Sequence, residues 1–141
     1  MRSLMFAAAL LLPTPSGLAA AEEMIIYRSP DCGCCAIYVR HVEQEGFRTA
    51  VRLSRDVSSV KREQGIPKSL ESCHTTLVGG YVVEGHVPVT AIERLLDERP
   101  AIKGIALPGM PAGSPGMPGR KAGPFTIYTV ADGSPAVFAR E

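Results

Sequence analysis

Three of the chain's four cysteines stand within four positions, in the stretch Ser29-Pro-Asp-Cys-Gly-Cys-Cys35. Disulfide geometry requires separated, facing Cβ atoms. Four cysteines could form two disulfides, but adjacent Cys34 and Cys35 make tidy pairing awkward. Cys32 and Cys35 alone would form a C-x-x-C dithiol, the arrangement that makes and breaks disulfides. Cys34 is one thiol too many for that pair, so the motif poses a choice between redox chemistry and a metal.

Residues 1–21 read as a secretory signal peptide. They carry one Arg, an apolar run over residues 4–12 and a small-residue Ala19-x-Ala21 end. The run is too short to span a bilayer, and Pro13 and Pro15 interrupt it. Cleavage is expected after Ala21, leaving residues 22–141 as one domain free of the membrane. The chain has 15 basic and 14 acidic side chains, and Arg2 leaves with the signal. This neutral balance, without a basic run, argues against nucleic acid as a partner.

Residues 24–28, "MIIYR", form a short apolar run of β-formers that delivers the chain to the cysteines. Cys35, Tyr38, Val39 and Val42 then recur at helical spacing, with Gly46 as the stop. Residues 47–54 predict a second strand, and Asp56 caps a short helix through Gln64. Strand-like residues 75–78, the turn Gly79-Gly80 and "YVVEG" make a hairpin. Pro88 opens a last helix whose stripe is Ala91, Ile92, Leu95 and Leu96. This β-α-β-α-β-β-α order is that of a thioredoxin-like α/β domain, with its core over residues 24–99. Residues 100–141 add a Met/Pro/Gly loop, in which Pro-Gly-Met-Pro occurs at 108–111 and 115–118, and a second hairpin from "FTIYTV" and "AVFAR". The loop can be neither helix nor central strand.

In such a topology three loops converge at one sheet edge. They carry Cys32, Cys34, Cys35, Cys73, His74 and His86. The position before the third strand, a proline against the dithiol in thioredoxins, falls at about His74. Taken singly, Cys35 could be a plain buried thiol and either histidine a loop residue bonded to backbone. His41 lies about two turns along the helix, roughly 10 Å from the cysteines, and reads as a surface residue. Met110 and Met117 either pack under their loop or guide ions in.

Thiolates at a helix N-terminus are favoured by its unpaired N–H groups and dipole. That suits redox and metal binding alike. The third thiol discriminates, because clustered sulfur with imidazole and thioether nearby suits a soft ion. Structural zinc sites usually draw on two spaced Cys pairs, and a second pair is missing here. Cu(I) prefers thiolate and thioether donors, and thiolates bridge neighbouring ions, so more than one Cu(I) is expected in the cluster. Two other readings stand beside this one. The first is a thiol-disulfide oxidoreductase working through Cys32 and Cys35, with Cys73 resolving. The second is a small interaction domain stapled by two disulfides.

At "SPDCGCC", "SCHTT", "GGYVVEGHVP", "GIALPGMPAGSPGMPG" and the closing hairpin the sequence resembles the CopG-like family of exported copper-resistance proteins. That resemblance implies a thioredoxin-like fold and a role in copper resistance in a bacterial periplasm; copper ions, and other periplasmic copper-handling proteins, are the expected partners. The resemblance also implies copper ligation by Cys32, Cys34, Cys35 and Cys73, with His86 and His74 as weaker candidates.

Overall fold

A computed structural model describes residues 22–141. The expected signal peptide, residues 1–21, lies outside the described residues. Among the described residues no helix is long and apolar enough to cross a membrane.

The described residues form seven strands in one mixed sheet, with three α-helices. Strand β1 (Glu23–Arg28) runs into α1 (Gly33–Gln44), then β2 (Arg48–Leu53) and α2 (Val57–Glu63). A single 3-10 turn (Lys68–Leu70) precedes the hairpin of β3 (Thr75–Val78) and β4 (Tyr81–Glu84), and α3 (Val89–Glu98) follows. The expected element order over residues 24–99 is the observed one. Asp56 caps α2 as expected, its carboxylate accepting from Ser59 N at 3.1 Å.

The sheet order is β2-β1-β3-β4-β5-β6-β7. Strand β1 pairs parallel with β2 and antiparallel with β3, and β3 pairs antiparallel with β4. One strand was not foreseen. Residues Gly104–Ala106 form β5, which runs parallel to β4 and antiparallel to β6 (Thr126–Val130). The closing hairpin of β6 and β7 (Val137–Arg140) is therefore an extension of the same sheet.

Alternation along the strands divides the core. On one face Met24, Ile26, Val83, Ile105 and Ile127 pack with Tyr38, Val39 and Val42 of α1 and with Val89, Ala91, Ile92 and Leu95 of α3. On the other, Val82, Ala106 and Val130 pack with Ile66 and Leu70. Burial of each large apolar side chain contributes roughly 1.5–3 kcal/mol. The first cluster holds α1 and α3 on one face, the second holds the segment after α2 on the other, where Lys61 of α2 also reaches Glu84, and the cysteine loop lies at the end of β1.

Candidate metal centre

Cys32 is the N-cap of α1, and its Sγ accepts from Cys35 N at 3.3 Å. The first helical turn thus brings residues three apart onto one face. Cys32 and Cys35 are joined as a disulfide, with Cα atoms 5.3 Å apart, while Cys34 and Cys73 are free thiols. The reading of a domain stapled by two disulfides is corrected by this pairing. The four sulfurs nevertheless form one group, all within 4.8 Å of one another. Cys73 Sγ, arriving from the loop before β3, lies 3.1 Å from Cys32 Sγ, 3.3 Å from Cys35 Sγ and 3.6 Å from Cys34 Sγ. Cys34 Sγ is 3.4 Å from Cys32 Sγ. Burial pushes the Cys73 thiol up to about 11, and the neighbouring Cys34 thiol adds to the shift, partly opposed by the Lys61 ammonium.

Neither histidine belongs to the four-sulfur group. Both are fully buried and pack against Tyr38 of α1, His74 tilted and His86 edge-on. The His74 ring centroid is 4.5 Å from that of Tyr38 and 4.8 Å from that of His86, edge-on to the latter. Tyr38 is itself held by its hydroxyl, which donates to Val87 O at 2.9 Å. Neither ring nitrogen of His74 has a hydrogen-bond partner, and neither does Nε2 of His86. Burial lowers the pKa of His74 well below the usual imidazole value, and the positive side chains of Lys61 and Arg28 act in the same sense. His86 is lowered too, chiefly by burial. Both rings are neutral near pH 7. His86 Nδ1 donates to Pro115 O at 2.7 Å, which leaves Nε2 with its lone pair. An orphaned buried polar atom costs about 1–3 kcal/mol. Of the unpartnered nitrogens, one on His74 and Nε2 of His86 carry a free lone pair in the neutral rings.

The Met/Pro/Gly loop is seated on the site. Gly116 lies against the first turn of α1 at φ +83°, where a Cβ would stand 2.8 Å from Cys34 O and 2.9 Å from Tyr38 N. Only glycine permits that approach. Met117 lines an open depression with Cys34 and Ile37, whereas Met110 is exposed and lies outside that depression. The two methionines, alike in the sequence repeat, are unlike in place. His41 is half-buried on α1.

Sequence reasoning missed Lys61, Glu84, Ser72 and Thr75, which form a polar cluster under Cys73. A Glu closing the apolar run "YVVE" was the one available signal.

A mixed α/β domain that gathers four cysteine sulfurs at the end of its first strand is thus the class defined by fold and site. The family described as a protein of unknown function, DUF411, matches residues 70–117. A solved structure described as copper resistance protein CopG, Form 2, is 37% identical with a TM-score of 0.79, covering 86% of this chain and 98% of its own. A second, described as Form 1, is 38% identical with a TM-score of 0.77, covering 84% and 96%. The chain belongs to the CopG family of copper resistance proteins. No curated protein matches it.

Proposed function

We propose that this is a periplasmic copper-binding protein of copper resistance, built on a thioredoxin-like core, that holds Cu(I) in a thiolate cluster. The observation that carries the reading is the convergence of four sulfurs within 4.8 Å, one of them brought from about 40 residues away. Cu(I) is soft and takes bridging thiolates, so four sulfurs at this spacing suit more than one ion. Cys32, Cys34, Cys35 and Cys73 are the ligands. His86 through Nε2, and more weakly His74, cap the cluster, and Met117 stands at its mouth.

The Cys32–Cys35 disulfide defines the oxidised state, in which only two thiols remain. Reduction by an external thiol adds two electrons and two protons and frees all four sulfurs. The reverse step couples to copper. Two thiolates that give one electron each to two Cu(II) ions close the disulfide and yield two Cu(I) ions. The site thus links thiol redox to copper oxidation state, with other periplasmic copper-handling proteins as donors or acceptors.

The same disulfide favours a second reading, a thiol-disulfide oxidoreductase using Cys32 and Cys35. Cys34→Ser separates the two. A hydroxyl does not replace thiolate for a soft ion, so the copper reading requires folded Cys34→Ser to lose copper retained through size exclusion. Wild-type retention with undiminished disulfide exchange would overturn it in favour of the oxidoreductase.

A further inference from the structure

A fully buried ion pair lies directly under the Cys73 loop, on the sheet face opposite α1. Glu84, at the end of β4, has no exposed surface, and Lys61 of α2 is 4% exposed. Lys61 Nζ donates to Glu84 Oε1 at 2.5 Å and to Thr75 Oγ1 at 3.1 Å. Replacing such a pair with well-packed apolar residues is often neutral or stabilising, because desolvating two charges offsets their attraction. Stability alone is therefore a poor reason for its presence.

Its hydrogen bonds supply a better one. Glu84 Oε1 also accepts from Ser72 N at 2.7 Å, and Oε2 accepts from Thr75 Oγ1 at 2.7 Å. Ser72 and Thr75 flank Cys73 and His74. The two oxygens of one carboxylate thus bracket the dipeptide that brings the fourth sulfur and a buried imidazole to the site. The backbone adds a third tie, since Gly85 N donates to His74 O at 2.9 Å. Gly85 can come so close because it lacks a Cβ, which would stand 2.5 Å from Ser72 Oγ at φ +81°.

We propose that Glu84, with Lys61 as its counter-ion, is a positioning residue that sets the Cys73 thiol against Cys32, Cys34 and Cys35. It touches no sulfur. It acts through the backbone N–H of Ser72 on one side of Cys73-His74 and the Thr75 hydroxyl on the other, so that the long-range ligand meets the three local ones without searching. The role of the bracket in copper affinity rests on the copper reading given above; its role in placing the thiol does not.

The test compares two double variants that leave no unpaired buried charge. Lys61→Met/Glu84→Gln keeps a carbonyl oxygen for Ser72 N–H and an amide donor for Thr75 Oγ1. Lys61→Met/Glu84→Leu removes both arms. Residues that orient metal ligands typically govern about 10–100-fold in affinity. The Leu variant should therefore bind Cu(I) at least about tenfold more weakly in competition with a chromophoric Cu(I) chelator. In the reduced, metal-free protein its Cys73 should alkylate several-fold faster than in wild type, read by peptide mass spectrometry. The Gln variant should stay within about twofold of wild type in both. Thr75→Val, which cuts one arm and keeps the ion pair, should fall between them and serves if the Leu variant does not fold. Wild-type Cys73 reactivity and affinity in a folded Leu or Val variant would overturn the proposal, as would a Gln variant as impaired as the Leu one. If wild-type protein takes up no Cu(I), the copper reading fails, and Cys73 alkylation still decides the role of Glu84.

Discussion

Gly116→Ala should lift the Met/Pro/Gly loop off the site while leaving the domain folded. The alanine Cβ would sit 2.8 Å from Cys34 O and 2.9 Å from Tyr38 N, both backbone atoms of α1 that cannot rotate aside. Left-handed backbone costs an L-residue roughly 1–2 kcal/mol, and overpacking of this kind costs about 1–3 kcal/mol. Keeping the loop in place would thus cost about 2–5 kcal/mol. Against that, the seat contributes the His86 to Pro115 hydrogen bond, worth about 1 kcal/mol net, and the contact of Gly116 with α1. The balance favours detachment of the segment around Gly116. The loop keeps its own turns, in which Met117 N donates to Ser114 O and Ser114 Oγ to Pro111 O, and its start stays tied through Gly109 N to Glu71 O. The assay is the rate of Cys34 alkylation together with the His86 Nδ1–H proton resonance. Faster alkylation and loss of the hydrogen-bonded resonance are expected, with an unfolding midpoint close to wild type. A folded Gly116→Ala protein with wild-type Cys34 reactivity and an intact His86 resonance would refute the seating argument.

Two further outcomes follow from the site and one from the N-terminal sequence. Because burial holds the folded-state pKa of His74 below 6.5, the metal-free protein should lose stability as pH falls below about 6.5, where only the unfolded chain takes up the proton. The slope is at most about 1.4 kcal/mol per pH unit for each such histidine, and denaturant melts of His74→Phe against wild type should show it flattened. Tyr38→Phe should cost about 1–3 kcal/mol in the same melts, because Val87 O loses its buried donor; no change would mean that water takes the place of the hydroxyl. Protein recovered from a fractionated bacterial host should begin at Glu22 and lie in the periplasmic fraction, and an intact Met1 in the membrane fraction would contradict export.

The first four strands and three helices were legible because each is a short apolar run closed by Gly, Pro or a capping residue, as with Asp56 before α2 and Gly79-Gly80 between β3 and β4. Strand β5 was not. Three residues carry no period, and "GIA" becomes a strand only because Gly104 pairs with Val82 on one side and Val130 on the other. The convergence of Cys73 with the Cys32 to Cys35 stretch was legible from element order, since a strand that ends at one edge must be met there by its antiparallel partner. The pairing of Cys32 with Cys35 was legible as the C-x-x-C spacing that the first helical turn brings onto one face, whereas Cys34 as a free thiol beside that disulfide was not. The bracket of Lys61 and Glu84 was hidden for a different reason. It joins α2 to β4 across a sheet face, and a strand-end glutamate looks the same in sequence whether it is solvated or buried.

The central claim is that four sulfurs act together on copper, and the most direct measurement is the copper content of the fully reduced chain. Protein reduced and loaded with Cu(I) under anaerobic conditions should retain more than one copper per chain through size exclusion. The Cys32–Cys35 disulfide form, with two free thiols, should retain less. A plateau at one copper per chain, or equal uptake by the reduced and disulfide forms, would contradict the thiolate cluster.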